Sequence, residues 1–326
     1  MKKKLTLTLG GGSGHFALLS GLKELSGIEI VAVVSMFDSG GSTGRLRDEL
    51  GILPPGDILK CILALSPYGE TARAILLKRF VQDRRLHGHT AGNMLLTMLT
   101  RYTGSFPRGV HALAEILDVK GRVLPVTLEN ATLVAQLVDG SRIYGEKAID
   151  IPNGDQRAKI QDVFLVPHHG DTIAVYPPVI EAIGAADYIF IGPGDIYTSI
   201  VPALIVPKVK QAIQKAKAKV IYLLNIMTKF GETHNFQASD FVQTLEGVLE
   251  RRVDAVVYNN RKPKPKILDN YASQQATFVA LDTGHALWKG RKRYEADLLA
   301  STDDVVRHDP RKLTRLIEDL LSGNAI

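Results

Sequence analysis

A single cysteine, Cys61, stands among 326 residues, so this chain builds no disulfide framework and no cysteine-rich zinc or iron–sulfur site. Long hydrophobic runs are missing too. No window reaches the ~18 uninterrupted apolar residues of a membrane span. The start, Met1-Lys2-Lys3-Lys4, is followed by leucines that alternate with threonine over Leu5–Leu9 and stop at Gly10-Gly11-Gly12. That reads as a strand, because a secretory core needs roughly 7–15 apolar residues and a small-residue cleavage site. These absences predict a soluble, cytoplasmic protein. Charge of one sign is scarce as well: 40 Lys+Arg against 34 Asp+Glu leave a surplus of +6. Nucleic-acid binding needs a concentrated basic stripe, so no nucleic-acid partner is expected. With 45% hydrophobic and 23% charged residues, the chain has the composition of a folded protein.

What is present is an alternation of β-rich and helix-period segments. Leu5–Leu9, Glu29–Val34, Tyr188–Ile191, Val220–Asn225 and Val253–Tyr258 are short apolar runs bounded by glycine or polar residues. Between them Ala17–Leu25, Asp57–Ala64, Pro202–Ala216 and Ala238–Leu249 carry helical spacing. The alternation predicts one α/β domain over residues 1–326. Its sheet is doubly wound, mostly parallel and Rossmann-like, with helices on both faces. Over residues 117–180 the pattern changes to Val123–Leu128, Ala131–Leu137, Ile143–Gly145 and Asp162–Val166, with turns at Asp139-Gly140 and Asn153-Gly154. This predicts a small antiparallel insertion. Arg261–Lys266 (RKPKPK) reads as a solvated basic loop.

The chemistry-bearing residues follow the strands. Four glycines stand in the five positions Gly10-Gly11-Gly12-Ser13-Gly14, between a strand and a helix. Such a junction lets backbone approach a phosphate, and the helix N-terminus supplies free N–H groups. His15 breaks the dinucleotide G-x-G-x-x-G spacing and no G-K-[ST] follows, so neither a nicotinamide site nor a Walker A loop is predicted. A second glycine loop, Asp38-Ser39-Gly40-Gly41-Ser42-Thr43-Gly44-Arg45, offers an acid for a ribose or a metal, and Arg45 can fork onto phosphate. Asp57 reads as a helix N-cap. His89 and Asn93 at the next helix start suit hydrogen bonding to a polar substrate, while His87 and His89, at i, i+2, do not share a helix face for zinc. After later strands come Gly192-Pro193-Gly194-Asp195 with Thr198 and Ser199, and then Asn225 with Thr228. The sequence has no nucleophile elbow and no dense carboxylate run, so Asp38 is the best single candidate for catalysis or weak metal binding. Phosphoryl-type transfer needs mainly positioning and charge stabilisation.

Taken in order, GGGSG at Gly10–Gly14, DSGGSTGRLRDELGILPPGD at Asp38–Asp57, GHTAGN at Gly88–Asn93, GPGDIYTSI at Gly192–Ile200, NIMTKFGET at Asn225–Thr233 and YNN at Tyr258–Asn260 resemble one family. It is the gluconeogenesis factor family of the 2-phospho-L-lactate transferase-like superfamily. Near the end, Tyr271 and Arg307-His308-Asp309 match positions that family uses for a nucleotide-sugar ligand. The resemblance implies a homo-oligomer, a dimer, that binds a nucleotide or nucleotide sugar such as UDP-N-acetylglucosamine. It also implies a regulatory role in cell shape and in envelope and carbon metabolism, with a protein partner in envelope synthesis. The transferase branch implies instead a magnesium-dependent transfer of a phospholactyl-type group from a guanosine diphosphate donor. No tightly bound cofactor is expected, and magnesium would join only with bound nucleotide. Two departures stand out. Asp38-Ser39 replaces the usual pair of acids, and His15 replaces a leucine, which would place a charge near a diphosphate.

Overall fold

The structure, a computed structural model, describes residues 3–82, 86–152, 154, 156–301 and 305–323. Among these described residues, ten strands form two sheets. Seven strands make the main sheet: β1 (Lys4–Gly10), β2 (Ile28–Val34), β3 (Arg122–Pro125), and then, beyond the insertion, β7 (Tyr188–Ile191), β8 (Lys219–Leu223), β9 (Ala255–Asn259) and β10 (Lys292–Ala296). The insertion supplies β4 (Ala131–Leu137), β5 (Arg142–Tyr144) and β6 (Ile160–Pro167), paired antiparallel in the order β5-β4-β6.

The main sheet runs β3-β2-β1-β7-β8-β9-β10, every pair parallel. Parallel strands need crossovers that cover both faces, so central strands are apolar throughout. Leu7, Leu9, Val31, Val33, Ile189, Ile191 and Val220 are fully enclosed. Strand order reverses between β1 and β7, which opens a crevice at their carboxyl ends.

Three expectations change. The run Val123–Leu128 does not open the insertion: Arg122–Pro125 pairs parallel with β2 in the main sheet, with Ala32 opposite Val123. The small antiparallel sheet therefore spans 131–167. The helix expected over Pro202–Ala216 is broken, because Pro207 has no N–H and cannot continue a helix. In its place stand a π-type turn Ile196–Ile200, a short helix Val201–Leu204 and a second helix Val209–Lys215. The first helix begins earlier than its apolar period, at Gly12, and ends at Leu22. Polar KRYEA, unmarked as a strand in the sequence, adds to the sheet edge as β10. The turn expected at Asn153-Gly154 rests on residue 153, outside the described residues. No helix among the described residues is long and apolar enough to cross a membrane.

At the switch point two glycines have separate reasons. Gly12 holds φ +68°, which disfavours any side chain. Gly14 has an ordinary backbone, but a Cβ there would lie 2.3 Å from the Pro193 carbonyl oxygen. Gly14→Ala should therefore push the two strand-end loops apart and destabilise the fold by about 1–3 kcal/mol, the range for overpacking. Gly247 sits in the helix Ala238–Leu249 with nothing within 4 Å of a built Cβ. Gly247→Ala should raise stability by about 0.4–1 kcal/mol. Denaturant midpoints of the two variants check both signs, and an unperturbed Gly14→Ala protein would remove the close approach as a constraint.

Candidate functional site

The crevice opens into a cavity of about 660 Å³ at the carboxyl edge of the sheet. Its floor is the glycine loop, where Gly11, Gly12, Ser13 and Gly14 lead into the helix Gly12–Leu22. The first N–H groups of a helix lack intrahelical partners and carry partial positive charge. One of them, Gly12 N, donates to Asp57 Oδ2 at 3.0 Å. Across the switch point the β7 loop contributes Gly194, Asp195 and Ser199, and Gly194 N donates to Asn225 Oδ1 at 3.2 Å. Asn225 and Thr228 line the wall after β8, and Tyr271, Arg307 and His308 close the far side. The Tyr271 hydroxyl accepts from Val306 N at 3.0 Å, which fixes the segment carrying Arg307. Arg307 itself is exposed, whereas burial holds His308 neutral and pushes its pKa down to about 4.

One side of this cavity is acidic, which the sequence did not suggest. Asp150 arrives from the insertion, Asp195 from the β7 loop and Glu232 from the β8 loop, and their carboxylate oxygens lie within 4.8 Å of one another. Lys229 sits among them. Its Nζ is 2.8 Å from Asp195 Oδ2 and 3.3 Å from Glu232 Oε1, and it also bonds Asp150 Oδ1. Burial disfavours the ammonium, but Glu232, Asp195 and Asp150 outweigh it and raise the Lys229 pKa. Glu232 is buried, accepts from Thr198 Oγ1 at 3.2 Å, and is pushed up to about 8 by burial and by Asp195, against Lys229. Lys229 and Glu232 stand inside the motif Asn225–Thr233, so their presence was visible. Asp150 carried no signal, because only folding brings the insertion to the β8 loop.

The remaining candidates lie outside the cavity lining. Asp38, Gly41, Ser42, Arg45, His89 and Asn93 cluster around the second glycine loop instead, while Gly192 is buried beneath the first. Ser42 Oγ bonds His89 Nδ1 at 2.9 Å and accepts from Asn93 Nδ2 at 3.1 Å, all three buried. Arg45 Nη2 donates to the His87 carbonyl. Asp57 is not an N-cap: Pro55 takes that position, and the Asp57 side chain spans from Gly12 to Lys60 Nζ at 2.9 Å. Asp38 Oδ1 accepts from Gly40 N at 2.8 Å, and burial followed by the Asp57 charge raises its pKa. Glu146, absent from the sequence reading, accepts from Ser39 N at 3.2 Å; burial and then Asp38 push it up to about 8. His15 does not bring charge to a diphosphate. It is fully buried, its Nε2 lies 2.7 Å from Thr8 Oγ1, and burial pushes its pKa down to about 4.

These shifts set a pH dependence. A carboxyl raised in the fold contributes stability that is complete below its unfolded value and is lost as pH rises through the folded one. For Glu146 and Glu232 that loss runs from about pH 4.5 to about 8. Neutral buried His15 and His308 act oppositely, losing stability as pH falls from about 6.5 to about 4. The two pairs oppose each other below pH 6.5, so the carboxyls stand alone between pH 6.5 and 8. The melting temperature should fall across that window, and Glu146→Gln should flatten the slope. An identical slope in the variant would show that Glu146 does not titrate there.

The family model described as 2-phospho-L-lactate transferase CofD matches residues 7–299. A Bacillus subtilis protein named gluconeogenesis factor is 37% identical, covering 98% of this chain and 98% of its own. Another of that name from Halalkalibacterium halodurans is 36% identical over 97% of this chain and 96% of its own. A solved Bacillus halodurans structure superposes with TM-score 0.90 at 36% identity, covering 97% of this chain and all of that one. A second from that organism, described as a member of the UPF0052 family, gives TM-score 0.89 at 35% identity over 98% of this chain and 99% of that one. The chain belongs to the CofD family and, within it, is gluconeogenesis factor-like.

Proposed function

We propose that this protein is a nucleotide-sugar-binding regulator of the gluconeogenesis factor type. Its ligand is a uridine diphosphate-linked sugar of the UDP-N-acetylglucosamine class. The observation that carries the reading is one cavity that joins a glycine-rich helix N-terminus to Tyr271 and Arg307 across the switch point. The diphosphate lies on the Gly12–Gly14 amides, where backbone can approach and the helix dipole favours negative charge. Tyr271 offers a flat face to the base or sugar, and Arg307 forks onto diphosphate oxygens or a carbonyl. The volume suits such a ligand, since small-molecule sites run to about 300–1,000 Å³. The role follows the family: control of cell shape and of envelope and carbon metabolism, through a protein partner in the cytoplasm, with the protein acting as a dimer.

The second reading is the transfer reaction named in the family model's description, with magnesium bound alongside a guanosine diphosphate-linked donor. The two readings separate by calorimetry and by product analysis. UDP-N-acetylglucosamine should bind more tightly than GDP and be recovered unchanged after long incubation. Arg307→Ala should weaken binding by about 1.5–3 kcal/mol, or roughly one to two decades. Tyr271→Phe should weaken it less, because it keeps the ring and loses only the acceptor for Val306 N. Tight GDP binding indifferent to Arg307→Ala, or product from a phospholactyl guanosine diphosphate donor, would establish the transferase.

A further inference from the structure

The acidic side of the cavity has the outline of a cation cage, and a residue of the chain already fills it. Oxygens of Asp150, Asp195 and Glu232 converge within 4.8 Å, as ligands of a hard divalent ion do. Asp38, the carboxylate singled out in the sequence, is not part of that convergence. An ammonium has three donors, and the Lys229 ammonium faces three carboxylates from three segments of the fold. Magnesium does not fit this cage while the lysine is in it.

We propose that Lys229 is this chain's resident substitute for a divalent cation, so that a diphosphate-bearing ligand binds in the cavity without metal. The inference rests on the nucleotide reading of the site and deepens it by fixing its ion requirement. Without a cation, Asp150 and Asp195, on a wall shared with Gly12–Gly14 and with Glu232 buried beside them, would repel an incoming diphosphate, and Coulomb repulsion is strong where water is partly excluded. Magnesium usually meets that need with one or two carboxylates plus the substrate's own phosphates. A lysine is a compact point charge on a flexible stem, suited to the same position. Here it is tethered by covalent bonds and held by its neighbours, so it is present before the ligand arrives.

The test has an ion arm and a nucleotide arm. Manganese or magnesium alone, titrated into the wild-type protein, should give neither binding heat nor a melting shift. Lys229→Met uncovers the cage and should gain manganese binding with a raised melting midpoint, and adding Asp195→Asn should abolish that gain. UDP-N-acetylglucosamine should bind the wild type equally well in chelator and in magnesium. In Lys229→Met the affinity should drop at least about tenfold in chelator and recover with magnesium. Wild-type nucleotide binding that requires magnesium overturns the proposal, as does manganese binding equally to wild type and variant. Should Lys229→Met fail to fold, the wild-type chelator comparison decides. If no nucleotide binds at all, the proposed function falls, while the ion arm still judges Lys229.

Discussion

The approach of two strand-end loops at the switch point is the contact on which the rest of the site depends. β1 and β7 are neighbours, yet the chain leaves them toward opposite faces of the sheet. Only there can the glycine loop and the Pro193–Ser199 loop face each other across an open crevice. Gly14 against the Pro193 carbonyl sets their separation, and the Gly194 amide ties the second loop to Asn225 at the end of β8. The cavity therefore has walls made from three consecutive strand ends. Wall residues inherit their positions from a rigid parallel sheet, whose central strands are enclosed on both faces.

Electrostatics shapes the same cavity unevenly. One side offers the helix N-terminus, where Asp57 holds the Gly12 amide, and the exposed guanidinium of Arg307. The other side holds Asp150, Asp195 and the Lys229 ammonium, with Glu232 buried beside them. Burying such groups costs stability unless each is paired, and removing one partner leaves the others uncompensated. Lys229 bonds residues from the insertion, the β7 loop and the β8 loop, so it also fastens the insertion to the sheet edge. The charge proposed to receive an anion is thus also the charge that closes the cavity wall.

The sheet was legible because its signals are local. Strand runs bounded by glycine placed β1, β2, β7, β8 and β9 to within a residue or two, and the helix Ala238–Leu249 matched residue for residue. Where a run's partner is distant, local pattern was silent. Val123–Leu128 looked like its neighbours in the insertion, yet the strand pairs with β2, roughly ninety residues earlier in the chain. Gly11–Gly14, Gly194, Asp195, Ser199, Asn225 and Thr228 fell on one cavity because each follows a strand, and strand ends share an edge, while Tyr271, on the helix Pro265–Ala272, and Arg307 close its far side. The second glycine loop also follows a strand, but it turns away into a buried Ser42–His89–Asn93 network. Its glycines gave no sign of which side they would face.

His15 and Lys229 show why charge in a sequence is weaker evidence than position in a fold. Both stand inside glycine-bearing motifs beside the proposed phosphate site, and either could have supplied its positive charge. A helix puts His15 one turn into the structure, where Thr8 and Cys61 enclose it and burial keeps it neutral. Lys229 follows β8 on a loop, and its long stem carries the ammonium back over the cavity to three carboxylates that stabilise its charge. Desolvation acts on both: it outweighs Asp57 and the Gly10 carbonyl at His15, whereas at Lys229 three acidic partners outweigh it. Which basic side chain keeps its charge here is therefore decided by which one finds carboxylates, and Asp150 from the insertion is what completes the set around Lys229.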